Sequence, residues 1–173
     1  MDDIREIFEK ITEYYSVPIR VGSRCEANVY YRVEDLSSDN IEVCARYVSE
    51  RILKVATPAL PHFLVNLRGS FTDLASILAR ALAPSGETLE VLGYEEINAG
   101  NGKSHRVKGA NVILVNDVIT MARSCLEAHT RVTMMGASIT CWAALIDRTF
   151  GPGPVPIVAA FTGEPVTLLS GLP

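Results

Sequence analysis

Residues 112–128 read VILVNDVITMARSCLEA, and the fold turns on this stretch. Residues 112–115 are an unbroken aliphatic run, the pattern of a strand covered on both faces in a parallel sheet. Asn116 and Asp117 follow at the C-terminal end of that strand, where open α/β sheets bind their ligands. Thr120 to Ser124 then make a turn into a helix around residues 122–135. A helix N-terminus presents unpaired N–H groups and partial positive charge, a natural seat for a phosphate. An aspartate beside that seat can accept hydrogen bonds from sugar hydroxyls. The same residues also suit an ordinary strand–turn–helix connection, in which Asp and Asn are turn formers.

Outward from this stretch, short apolar runs alternate with helical ones. HFLVNL (62–67) reads as a strand, RGSFTD (68–73) as a loop, LASILARAL (74–82) as a helix stopped by Pro84, and LEVLGY (89–94) as a second strand. Residues 96–110, EINAGNGKSHRVKGA, are polar, hold three glycines and have no periodicity. SITCWAALI (138–146) is another strand, and GPGPVP is a turn cluster before IVAAF (157–161). Strands alternating with helices predict a central parallel sheet flanked by helices, with residues 111–115 near its centre and 62–67 and 138–146 beside it.

Towards the N-terminus, Ile4, Ile7, Phe8, Ile11 and Tyr15 share a helical face, and Pro18 ends that helix. IRVGSRCEANVYYRV (19–33) reads as a hairpin. Asp39 has the look of an N-cap with Glu42 three residues on. The stripe Ile41, Cys44, Ala45, Val48, Ile52 and Val55 marks a second helix. The chain divides into helices and hairpin over 1–58 and an α/β core over 59–173, within one domain.

At 173 residues the chain is one domain long and able to bury roughly 70% of its unfolded surface. Hydrophobic residues make up 48% and charged ones 21%, which excludes disorder. A net charge of −4 argues against a dedicated nucleic-acid or anionic-membrane binder. The acidic, amphipathic start is neither a signal nor a transit peptide, and no apolar run approaches the roughly 18 residues of a membrane span. Cys25, Cys44, Cys125 and Cys141 are scattered and suit small buried hydrophobes in a reducing cytoplasm. His62, His105 and His129 lie at no metal-ligand spacing, so no direct metal ligation by the protein is expected. No G-x-G-x-x-G follows any strand, which disfavours a dinucleotide enzyme.

The run VILVNDVITMARS resembles the phosphoribosyl-diphosphate motif of type I phosphoribosyltransferases: four apolar residues, two acidic positions, two apolar residues, Thr, then a phosphate loop ending in Thr or Ser. ALIDR (144–148) resembles the Asp-Arg strand end of the orotate enzymes, residues 62–82 their strand, pyrophosphate loop and helix, and RVGSRCEANVYYRV their N-terminal hood hairpin. The resemblance spans nearly the whole chain in order. It implies that Asn116, Asp117, Thr120, Met121, Ala122, Arg123 and Ser124 bind phosphoribosyl diphosphate, with Asp117 the catalytic position that holds the ribose. It further implies Arg68, Gly69 and Ser70 as the pyrophosphate loop, Arg148 as the base contact, and Lys103 and His105 in the flexible loop. Its other implications are Mg²⁺ carried mainly on the diphosphate, a nucleobase as co-substrate, a homodimer, and a role in nucleotide metabolism such as pyrimidine biosynthesis.

Several positions depart from the family pattern. Asn116 stands at the first acidic position, Ala122 and Arg123 replace glycines, and Met121 adds bulk. Tyr94, Glu95 and Glu96 stand where the orotate enzymes carry basic residues, and a hood lysine is absent near Arg20 and Val21. Two activities follow: transfer of ribose 5-phosphate to a base such as orotate, or a weakly active or inactive homologue that binds a nucleotide or phosphoribosyl diphosphate as a regulatory module.

Overall fold

The computed structural model describes residues 4–21, 25–55, 61–67, 70, 72–83, 89–98 and 106–169. Along the chain these form α1 (Ile4–Lys10), β1 (Thr12–Arg20), β2 (Cys25–Tyr31), α2 (Ser38–Val55), β3 (Phe63–Asn66), α3 (Leu74–Leu82), β4 (Glu90–Gly93), α4 (Tyr94–Asn98), β5 (Asn111–Ile119), α5 (Arg123–Met134), β6 (Ser138–Asp147), β7 (Ile157–Thr162) and β8 (Thr167–Leu168). Five strands make one parallel sheet in the order β4-β3-β5-β6-β7. The expected centre, β5, is the middle strand, with β3 and β6 beside it.

The reason lies in Val112, Ile113, Leu114 and Val115, all without solvent exposure. Alternation along the strand sends Ile113 and Val115 into the core shared with α1, α2 and α3. Val112 and Leu114 go into the core under α5, with Cys125, Ala128 and Val132. Burying each such side chain contributes about 1.5–3 kcal/mol, so a polar residue in this run would remove the sheet from its centre. Helix α3 has the bounds read from the sequence.

A small antiparallel sheet, β1-β2-β8, forms the hood. Here the structure corrects the sequence reading. Helix α1 stops at Lys10, and Tyr15 and Pro18 lie in β1. Thr12 donates its hydroxyl to the Phe8 carbonyl, and Thr12, Glu13 and Tyr14 pair with Tyr31, Tyr30 and Val29. Aromatic and β-branched residues facing a partner strand outweigh the helical spacing. Pro18 falls where the β1–β2 register shifts between Tyr14 and Ile19, on an edge strand where its missing N–H breaks no ladder.

Helix α2 buries Ile41, Cys44, Ala45, Val48 and Ile52 as expected, whereas Val55 is exposed. Its cap is Ser37, whose hydroxyl accepts the Asn40 N–H at 3.2 Å, two residues before the expected Asp39. The strand over 89–94 ends at Gly93, and the polar stretch opens with the short helix α4, held by buried Ile97 and by the Gly93 N–H donating to Glu96 Oε2 at 3.0 Å. All four cysteines are free and buried. Burial pushes the Cys44 thiol up to about 11 and those of Cys125 and Cys141 up to about 12. Among the described residues no helix is long and apolar enough to cross a membrane.

Candidate functional site

Strand β5 runs beside β6 as far as the pair Ile119–Asp147, but beside β3 only to Val115. Beyond Val115 its free side meets the β3–α3 connection, and Asn116 and Asp117 point to opposite faces. Asp117 is 2% exposed. Its carboxylate accepts the Ser70 hydroxyl at 2.9 Å, the Thr72 N–H at 3.1 Å and the Thr72 hydroxyl. Thr72 Oγ1 in turn accepts the Leu74 N–H at 3.3 Å, so one buried carboxylate fastens the β3–α3 connection to the start of α3.

Asn116 faces the other way, into a cavity of about 230 Å³. Its Oδ1 accepts the Asp117 main-chain N–H at 3.0 Å. The turn Thr120–Ser124 forms the cavity floor, and Val21 and Cys25 of the hood form the opposite wall. Met121 packs against the hood residues Cys25 and Ala27 and against Val166. Ala122 sits in the left-handed region, φ 56°, ψ 3°, immediately before α5. A Cβ is unfavourable there, which is why glycine is the usual choice. Ala122 supplies no side-chain cap, and the first bond of α5 is Leu126 N–H to Ala122 O at 2.7 Å. The N–H groups of Arg123, Ser124 and Cys125 therefore have no acceptor within the helix. Arg123 reaches along the helix to Glu127, Nε to Oε1 2.8 Å, with both side chains well exposed.

Arg148 lies one residue past β6, its N–H donating to Ile119 O at 2.8 Å. Its side chain is 3% exposed. Nε donates to the Glu164 carbonyl at 2.7 Å, Nη2 to the Val29 carbonyl at 3.1 Å, and the guanidinium lies 5.1 Å from the centre of the Tyr31 ring. Burial pushes its pKa down from the usual arginine value, against the pull of Tyr31 and Glu164. The Tyr31 hydroxyl accepts the Glu164 N–H at 3.1 Å and its ring meets Phe161 of β7 edge-on, so strand β2 of the hood is joined to the sheet through both Arg148 and Tyr31.

The structure thus brings Asn116, Thr120, Met121, Ala122, Arg123 and Ser124 together around one cavity, and it places Asp117 with Ser70 behind it and Arg148 under the hood. Arg68, Gly69, Lys103 and His105 lie outside the described residues. Sequence reasoning missed Thr72, the second partner of Asp117, and the hood wall of Val21 and Cys25. A threonine two residues before an apolar helix was the available signal for the first, while the second is purely a matter of packing. Among the described residues no group of three His, Cys, Asp or Glu side chains is placed to hold a metal ion.

No protein-family model matches the chain. No curated protein matches its sequence. Solved structures do match. An orotate phosphoribosyltransferase from Aeropyrum pernix superimposes with a TM-score of 0.62 at 16% identity, over 92% of this chain and 93% of that one. A hypothetical protein from Neisseria gonorrhoeae with bound ppGpp gives 0.57 at 13% identity, over 74% and 81%. An HGPRT-ase from Leishmania tarentolae in complex with GMP gives 0.55 at 14% identity, over 73% and 78%. At such identities the likeness is one of architecture, and that architecture, a five-stranded parallel sheet with helices on both faces and an antiparallel hood, is the type I phosphoribosyltransferase fold.

Proposed function

We propose that this chain is a phosphoribosyltransferase-like protein that seats the 5′-phosphate of a phosphoribosyl ligand on the Thr120–Ser124 turn. The observation that carries the reading is the cavity at the C-terminal end of the central strand, where the open N–H groups of α5 and the hydroxyls of Thr120 and Ser124 meet the hood wall. In the transferase reaction the C1–O bond to diphosphate breaks and a ring nitrogen of a nucleobase bonds to C1, its proton passing to solvent. The transition state has oxocarbenium character, so the protein contributes positioning and charge stabilisation. Asp117 acts by fixing Ser70 and Thr72 in the connection that carries the pyrophosphate-loop sequence. In this reading Mg²⁺ enters mainly on the diphosphate of the ligand. The resemblance makes a cytoplasmic homodimer the working unit and orotate the first base to try.

A second reading is binding without turnover. It is favoured by Asn116 in place of a carboxylate, by Arg123 held on Glu127, and by Glu95 and Glu96 following β4. The neighbour that carries bound ppGpp shares the same architecture. Calorimetry with phosphoribosyl diphosphate and Mg²⁺, followed by pyrophosphate release across a panel of bases, separates the two. Binding with release establishes the transferase, and binding with no release from any base establishes the module. An absence of both overturns the phosphoribosyl reading.

A further inference from the structure

We propose that Met121 is the specificity-determining residue of the cavity: its side chain bridges the phosphate turn to the hood, and a ligand that extends beyond a sugar phosphate binds only by displacing it. This rests on the Thr120–Ser124 turn seating a 5′-phosphate, with the rest of the ligand between that seat and the hood. Met121 lines the cavity. It also packs into a small apolar cluster that stands apart from the two main cores. The hood supplies Val21, Cys25 and Ala27 to that cluster, the stretch between β7 and β8 supplies Val166, and among the described residues Met121 alone comes from the turn. Val21 and Cys25 are the same residues that form the wall facing the seat. The Met121 side chain therefore crosses from the floor of the cavity to its opposite wall.

The dimensions agree with this role. The cavity is about 230 Å³, below the roughly 300–1,000 Å³ of pockets that take drug-sized ligands. A phosphate and a pentose are smaller than that class, whereas a nucleotide belongs to it. Methionine is unbranched, with three rotatable side-chain bonds, so it can leave the hood without moving the turn. The hood stays in place when it does, because Arg148 and Tyr31 join β2 to the sheet independently. The apparent affinity for an extended ligand then falls in proportion to the fraction of chains in which Met121 is withdrawn. Phosphoribosyl diphosphate and nucleotides both bind on this account, each against the Met121 contact, and ribose 5-phosphate binds without breaking it.

The test compares ribose 5-phosphate with uridine 5′-monophosphate, which adds only a neutral base, by calorimetry on the wild type and on Met121→Ala. The substitution should raise the affinity for the nucleotide relative to ribose 5-phosphate by about tenfold or more, because the ligand no longer breaks an apolar contact. A ratio that stays within about twofold of wild type overturns the proposal and leaves the phosphate seat standing. So does a nucleotide that binds neither protein while ribose 5-phosphate binds. A second readout uses the wild type alone. In methyl-labelled protein the Met121 methyl should show an NMR contact to the Ala27 or Val166 methyls in the free chain and with ribose 5-phosphate, and lose it with the nucleotide. A contact that persists in the nucleotide complex overturns the proposal. Failure of ribose 5-phosphate to bind overturns the seat itself and this proposal with it.

Discussion

Strands β5 and β6 run side by side to the pair Ile119–Asp147, and each carries a polar pair near its C-terminal end: Asn116 and Asp117 within the last residues of β5, Asp147 and Arg148 where β6 stops. In each pair one residue that the sequence marks for the ligand, Asp117 and Arg148, is turned inward, but the two do different work. Asp117 is short and acceptor-only, so it gathers N–H and O–H donors from the single connection that passes within reach. Arg148 is long, planar and rich in donors, so it spans from the sheet to two separate carbonyls and a ring in the next layer. The carboxylate fixes a loop and the guanidinium fixes a layer. Among the described residues the cavity is lined instead by Asn116, the hydroxyls of Thr120 and Ser124 and the guanidinium of Arg123, so neither of the two inward-turned charges faces it.

The largest effect tests the guanidinium side of this contrast. Arg148→Met keeps an unbranched apolar stem, removes the guanidinium over Tyr31 and leaves the Val29 and Glu164 carbonyls without their donor. An unpartnered buried acceptor costs about 1–3 kcal/mol, so the variant should lose about 2–5 kcal/mol in chemical denaturation. The hood should loosen with it, and Cys25, buried in the wild type, should react faster with a thiol reagent. A stability within about 1 kcal/mol of wild type would instead mark Arg148 as free to contact a base.

Asp117→Asn comes next. The amide offers one oxygen to donors that now share two, and its NH₂ faces an N–H or a hydroxyl. We expect a loss of about 1.5–3 kcal/mol, the worth of a hydrogen bond to a charged group, with ligand affinity falling only as far as the β3–α3 connection loosens. An unchanged melting temperature together with a tenfold loss of affinity for phosphoribosyl diphosphate would restore Asp117 to direct ligand contact and collapse the contrast with Asn116.

The smallest effect sits between the two strand ends. Ala122→Gly removes a Cβ from a left-handed residue and should stabilise the chain by about 0.5–1 kcal/mol, the strain relieved less the extra freedom of the unfolded glycine. For a chain of this size that corresponds to a rise of roughly 2–4 °C per kcal/mol in Tm. A fall in Tm would show that the turn before α5 does not hold that conformation.

Much of this was legible in the sequence where one residue's environment follows from its neighbours. The run 112–115 announces a doubly covered strand because no polar residue interrupts it, and 74–82 announces a helix because its apolar spacing and Pro84 leave no alternative. The assignment failed where distant pairing decides. Residues 12–15 carry helical spacing and β-forming side chains together, and only the presence of β2 alongside makes them a strand. Helix α4 was equally hidden, because residues 94–98 carry no apolar period and what holds it is Ile97 packing into the core and the Gly93 N–H on Glu96.

The sequence by itself determined the five strands of the parallel sheet and helices α2, α3 and α5 in their order, the central strand, and the turn that opens onto the cavity, because hydrophobic period and turn chemistry act between residues close along the chain. Which way the polar residues at the strand ends face was decided by tertiary structure alone. Asp117 and Arg148 bond to partners 45 to 47 and 16 to 119 residues away, and no local pattern encodes whether a charge meets such partners or a ligand. A charged side chain leaves water only where enough partners converge on it, and that convergence exists only once the layers have packed.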